Sequence, residues 1–324
     1  MSFNRLDPSD FIVSADAISA TLWSTQSPTL ITLYTSSAQI AGASGQYYYN
    51  VYQTGSTLPE AEIQFAVAYG NENGSGSLAY NPAVPEYSPS STIYGQWQDL
   101  VIGDENTGFT FNPPTQSKAF LAITFERARY KESLLPGSLL LKIGDDNFTD
   151  NSSIASSVQF TEAGRVFNVV LTQSLGGKSY GWLLPDIGTI LLDCNDGDEG
   201  GIIDYLGANW GGNSSSLDPP TKPPMQSLIE AIKLFKINSQ ETITSDYIFI
   251  RARSSEFNYS ENPSFISGST GEVLYNQFIN NPQTYITTVG LYNDVNELLS
   301  VAKLSRPLPK DFTSEALVRV KLDF

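Results

Sequence analysis

The chain has 324 residues, and its 18 Lys and Arg against 34 Asp and Glu give a net charge of −16. It has no histidine and a single cysteine, Cys194, which excludes Ser-His-Asp and Cys-His catalysis, His-ligated zinc, internal disulfides and four-cysteine metal sites. Only 16% of residues are charged while 12% are aromatic, the balance of a globular chain. A surplus of acid is the opposite of the clustered Lys and Arg that phosphate binding needs, so no nucleic-acid partner is expected.

The first residues, MSFNRLDP, lack a basic segment followed by an apolar one, so no secretory signal is expected there. Period-two alternation then predicts strands over 11–23, 29–35, 45–54 and 61–69, the last with Ile63, Phe65, Val67 and Tyr69 on one face. The sequence NENGSGS (71–77) is a turn by composition. Residues 90–102 place Ile93, Trp97, Leu100 and Val101 at helical spacing behind a serine cap. Gly95 weakens that helix by about 1 kcal/mol. A strand at 108–111 is followed by the proline-containing stretch NPPTQS (112–117), which suggests a boundary between an N-terminal β domain (1–115) and a C-terminal β domain (116–324).

The second half reads similarly, with strands predicted at 119–130, 138–143, 157–161, 165–172, 180–184 and 188–193. The most apolar run, 181–192, carries Pro185, Asp186 and Gly188 and cannot cross a bilayer as a helix, so no membrane partner is expected. Residues 194–224 are rich in Gly, Pro, Asn and Asp and form a long loop-like insertion. Behind Pro223 and Pro224, Leu228, Ile232 and Phe235 predict a short amphipathic helix over 225–236. Strands follow at 246–253, 284–292, 298–305 and 315–323, with Asn293–Asn296 turning a hairpin. The fold class is mainly β: β-sandwich-like domains with one or two short helices.

A short internal repeat stands out. Phe125-Glu126-Arg127-Ala128-Arg129 resembles Phe249-Ile250-Arg251-Ala252-Arg253. On a strand, Phe125, Arg127 and Arg129 share a face, as do Phe249, Arg251 and Arg253. Arginine beside an aromatic ring can stack and pair bidentately with carboxylates. The leading reading is a structural ion pair at a sheet end, and a partner-binding arginine cluster is the second. The last strand sets Ala316, Val318, Val320, Leu322 and Phe324 on one face. Such a face would not be left in water, so this strand is expected to be paired in a sheet.

No catalytic set emerges. Asp193, Asn195, Asp196, Asp198 and Glu199 make an acidic turn, but Gly197 and Asp198 break the calcium-loop register, so a solvated turn is the leading reading and a loose cation site the second, and no metal or cofactor is expected. Asp145-Asp146-Asn147 is weaker still. Cys194, with acidic neighbours and no histidine, reads as a small buried residue. Of Trp23, Trp97, Trp182 and Trp210, only Trp210 is placed in a loop, where it could serve a sugar site.

Several stretches, RLDPSDFIVSADAISATLWS (5–24), YGQWQDLVIGDENTGF (94–109), ITFERARYKESLLPGSLLLKI (123–143), RARSSEFNYSENPSFISGST (251–270) and NNPQTYITTVGLYNDVNELLSVAKLSRPLPKDF (280–312), resemble segments of virion structural proteins of tailed bacteriophages. The likeness is closest to the large contractile-tailed phages that infect cyanobacteria. It implies a non-enzymatic virion component, assembled in the host cytoplasm and placed in the baseplate wedge or elsewhere in the tail. Its partners would be other virion proteins, in a homo-oligomeric or symmetric hetero-oligomeric assembly, with no small-molecule ligand. Alternative readings are a carbohydrate- or receptor-binding tail module, a neck or collar protein, a capsid decoration protein, and a glycan-cleaving enzyme with two carboxylates.

Overall fold

A computed structural model describes residues 5–35, 48–74, 90–104, 106–154, 156–194, 201–206, 224–260 and 262–323. In chain order its first strands are β1 (Phe11–Thr21), β2 (Tyr34–Thr35), β3 (Tyr48–Tyr52) and β4 (Ile63–Asn71), followed by helix α1 (Ser90–Ile102). Next come β5 (Phe109–Asn112), β6 (Thr115–Ser117), β7 (Ala119–Phe125), β8 (Ser133–Leu134), β9 (Leu140–Ile143) and β10 (Asp146–Asp150). Then follow β11 (Gln159–Thr161), β12 (Gly164–Leu171), β13 (Gly181–Leu184), β14 (Thr189–Asp193), helix α2 (Pro224–Ala231) and β15 (Ile232–Lys236). The last elements are β16 (Asn238–Ala252), the short α3 (Gln277–Asn280), β17 (Gln283–Tyr292), β18 (Leu298–Asp311) and β19 (Ala316–Asp323). The protein is mainly β with few short helices. It divides into two compact units: Ile18–Glu241, and Met1–Ala17 together with Thr242–Phe324.

In the Ile18–Glu241 unit an 11-stranded sheet runs β15-β9-β10-β12-β13-β14-β7-β4-β3-β2, with β11 beside β12. Its two ends meet. Leu30 exchanges backbone hydrogen bonds with Phe235 of β15 at 2.7 and 2.8 Å, and a few residues on, Tyr34 and Thr35 pair with Tyr52 and Val51 of β3. The sheet therefore curls on itself, and its opposing walls pack face to face as the layers of a sandwich do. Val51, Phe65, Val67, Leu121, Ile123, Phe125, Leu141, Phe148, Ile190 and Leu192 fill the inside, where Met225 and Leu228 of α2 join them. Trp23 is wedged there against Phe65, Phe125 and Phe235, with ring centroids 5.3–6.4 Å apart.

Alternate residues of the same strands face outward into a second apolar cluster. Phe120, Trp182, Leu184 and Leu191 pack under Tyr94 and Val101 of α1 and Phe109 and Phe111 of β5. Strands β7 and β14 are thus covered on both faces, which explains their continuous apolar runs. Helix α1 matches its predicted span, but its buried stripe is Tyr94, Gln98 and Val101, and Leu100 faces outward. Polar Gln98 can be buried because its side-chain amide donates to Thr107 O at 2.7 Å. Tyr94 OH likewise donates to Ser117 O at 2.9 Å.

Two predicted elements differ. The helix expected over 225–236 stops at Ala231, and residues 232–236 pair with β9 as β15. The open edge of β9 supplies hydrogen bonds that a longer helix would forgo. The prolines at 113–114 turn the tight hairpin between β5 and β6, so the suggested boundary at 112–117 falls inside one unit. Most of the 194–224 insertion lies outside the described residues; within it, Ile202–Tyr205 forms a single 3-10 turn.

In the other unit the C-terminal half of β16 pairs with β19, from Ser245 opposite Asp323 to Ala252 opposite Ala316. β1 takes the opposite side of β16. The predicted hairpin is present as β17 and β18, and Asn296 takes the positive φ of its turn (62°), a conformation asparagine tolerates. At the hairpin base Lys310 is wholly buried. Its ammonium donates to Asn258 Oδ1 at 2.8 Å, Ser254 O at 3.1 Å and Asp311 O at 2.7 Å, tying β18 to the turn after β16. Lys310→Met keeps the bulk but leaves those oxygens without their donor, and is expected to cost about 3 kcal/mol. Hydrogen exchange should then quicken at 253–260 and 308–311 while residues 119–193 keep their protection. Unchanged exchange at the hairpin base would contradict this account.

Candidate interaction surfaces

The two pentapeptide copies have different fates. In the first, β7 ends at Phe125 and the chain turns into a 3-10 helix over Arg127–Arg129. The expectation that Phe125, Arg127 and Arg129 share a strand face is therefore corrected. Phe125 is the last residue of β7 to pair with β4, opposite Phe65, and beyond it the backbone closes a local bond from Arg129 N to Glu126 O at 2.8 Å. The guanidinium of Arg127 lies 4.6 Å from the Tyr130 ring centroid and donates to Tyr130 O. Arg129 bonds Ile63 O at 2.9 Å and Glu62 at 2.7 Å.

In the second copy Phe249 and Arg251 lie on β16, and Arg253 falls just past its end. Arg251 pairs with Asp10 at 3.2 Å, and the Arg253 N–H donates to Glu256 at 2.9 Å. Each copy thus makes its ion-pair and stacking contacts within its own unit. The first copy belongs to the unit of residues 18–241 and the second to the unit of residues 1–17 and 242–324.

Val318, Val320 and Leu322 sit on a paired strand, opposite Ile250, Ile248 and Asp246. Val320, Ala316, Ile248 and Ala252 are buried. Phe324 lies outside the described residues. The reverse face of the ladder carries Leu317, Arg319 and Lys321, with Leu317 61% exposed. β1 is exposed almost throughout: Phe11 44%, Ile12 51%, Val13 57% and Ile18 50%. The β17–β18 hairpin also leaves Tyr285, Val295, Leu298, Leu299 and Val301 in water. Sequence reading missed this exposure. Apolar residues at both parities of β1 are the mark of a strand covered on both faces, whereas here both are open.

Of the chemical candidates, Asp193, Cys194 and Trp182 are core groups. Asp193 is buried and accepts a hydrogen bond from Ser117 Oγ. Burial, and then the charge of Asp193, push the Cys194 thiol well above its ordinary range, so it is not a thiolate nucleophile. Asn195–Glu199 and Trp210 lie outside the described residues. Trp182 packs on Phe109 and Phe111. Asp145 is exposed and paired with Lys233 at 2.9 Å. Among the described residues no group of three or more His, Cys, Asp or Glu could hold a metal ion. A hollow of about 30 Å³ lined by Phe265, Ile266, Val273 and Phe278 has room for about one water.

One ion pair had no signal in the sequence. Arg165 holds Asp186 through its backbone N–H at 2.8 Å and its guanidinium at 2.5–3.2 Å. Burial pushes the Asp186 carboxyl up, but the hydrogen bonds from Arg165 outweigh it and hold the group below the usual carboxylate range. The stabilisation is therefore complete above the unfolded carboxyl pKa of about 4 and is lost as pH falls through the lower folded value. Asp186→Asn is expected to cost about 1–2 kcal/mol at neutral pH. The gap in urea midpoint between the variant and wild type should close as pH drops below about 4; a gap independent of pH would contradict this.

No family model matches this chain, and neither a curated protein nor a solved structure matches it.

Proposed function

We propose that the chain is a non-enzymatic structural component of a tailed-phage virion, a baseplate wedge or other tail-assembly protein whose work is done by its surfaces. The observation that carries the assembly reading is the unit of residues 1–17 and 242–324. It combines a bare apolar edge strand, β1, with a long hairpin whose apolar side chains stand in water. Isolated two-stranded hairpins are marginal in water, and exposed apolar patches on a folded protein mark contact sites. The curled sheet of residues 18–241 supplies a closely packed body of its own. Resemblance of the stretches at 5–24, 94–109, 123–143, 251–270 and 280–312 to phage virion proteins supports the virion as the setting, with other virion proteins as partners.

Cryo-electron microscopy of intact particles tests the proposal directly. Density for this chain is expected in the tail or baseplate, and particles made without it should fail to assemble or infect. Complete, infectious particles lacking the chain, or turnover of a surface polysaccharide by the purified protein, would overturn the reading.

A further inference from the structure

We infer that copies of this chain join head to tail, β1 of one copy pairing edge to edge with β19 of the next, so that the β1-β16-β19 sheet continues across the contact. The inference rests on the assembly reading above and names a second copy as one of the partners.

Both halves of such an interface are present in one chain. The sheet order leaves β1 and β19 at opposite edges, and among the described residues neither has a further strand beside it. Natural edge strands are usually blocked by Lys, Pro, a bulge or a cover, because their free N–H and C=O groups template pairing. β1, FIVSADAISAT, has none of these residues and is bare on both faces. Strand addition at such an edge draws affinity from main-chain hydrogen bonds and specificity from alternate side chains.

Charge selects the occupant. The one charged residue of β1 is Asp16. β19 presents Arg319 beside exposed Leu317, while Lys321 is paired with Asp323 at 2.8 Å on the same strand, so Arg319 alone leaves this edge one positive charge. Arg319 lies over the Tyr247 ring at 5.6 Å and makes no ion pair among the described residues. Pairing β1 with β1 sets an acidic edge against itself, and pairing β19 with β19 sets a basic edge against itself. Only β1 against β19 joins opposite signs. Such a contact is heterologous and propagates into a ring or an open row.

Sedimentation velocity on the full chain tests this, using Val13→Lys to block β1 and Arg319→Glu with Lys321→Glu to block β19. One strand pair is a small interface, so wild type is expected to form species larger than a dimer as its concentration approaches about 100 µM. Each blocked variant alone should remain monomeric, with an association constant at least about tenfold weaker. An equimolar mixture of the two should give a dimer and nothing larger, because each partner keeps one open edge. Circular dichroism checks folding, and Ile12→Lys replaces Val13→Lys if the latter unfolds. Wild type that stays monomeric, or a β19-blocked variant that still dimerises by itself, would overturn the inference. A monomeric chain still found in particles would sink this contact alone, whereas an associating chain absent from particles would sink the virion role alone.

Discussion

Gly181→Ala should unfold the curled sheet of residues 18–241, with a loss of roughly 4 kcal/mol or more, at the far end of what point substitutions do. Gly181 opens β13 opposite Leu192 of β14, with φ at 155°. A Cβ there would lie 2.0 Å from Leu191 O and 2.9 Å from Leu192 Cα. Both are main-chain atoms of a strand held on its other side by β7, where Leu192 faces Leu121. The neighbour therefore cannot yield without breaking a second ladder. Ser179 adds to the constraint, its hydroxyl donating to Gly181 O at 2.9 Å. The expected readout is a fall in Tm of about 10 °C or more. Gly176→Ala is the control, since a Cβ there meets nothing within 4 Å. If the two variants melted within a degree or two of each other, the close approach of β13 and β14 would be wrong.

Most strands were legible because alternation, turn residues and apolar runs are local properties. Ile63, Phe65, Val67 and Tyr69 predicted β4 from their spacing alone, and Asn293–Asn296 predicted the turn of the β17–β18 hairpin. What stayed hidden depends on partners distant in sequence. The closure of the sheet by Leu30 on Phe235 has no local signature. The pattern of Leu228, Ile232 and Phe235 fits a helix face, yet the unpaired edge of β9 drew residues 232–236 into a strand. The repeated pentapeptide makes the point most sharply. Phe125-Glu126-Arg127 leaves its sheet where the paired positions of β4 and β14 end, whereas Phe249-Ile250-Arg251 stays extended because β19 pairs with it as far as Ala252. Nearly the same residues adopt two conformations because one copy has a neighbour and the other does not.

The same dependence on a neighbour predicts the outcome of deleting residues 314–324. β19 covers one side of β16 from Ser245 to Ala252, and removing it strips every hydrogen bond of that ladder. The buried Ala316 and Val320 are lost, and Ile248 and Ala252 are uncovered. Each larger apolar side chain returned to water costs about 1.5–3 kcal/mol. The sum is on the order of 5 kcal/mol or more, comparable with the whole stability of a small domain. Hydrogen exchange should therefore be unprotected at 242–252 in the truncated chain, while β7 and β14, whose partners all lie within residues 18–241, keep slow exchange. Val320→Asp offers the same test with the chain length kept, by placing a charge where a buried valine faces Ile248. Wild-type protection of β16 in both variants would mean that β19 is not what holds this sheet. An unpaired β16 would also present a newly bared edge in place of that of β19, so the truncated protein is expected to aggregate rather than to associate into defined species.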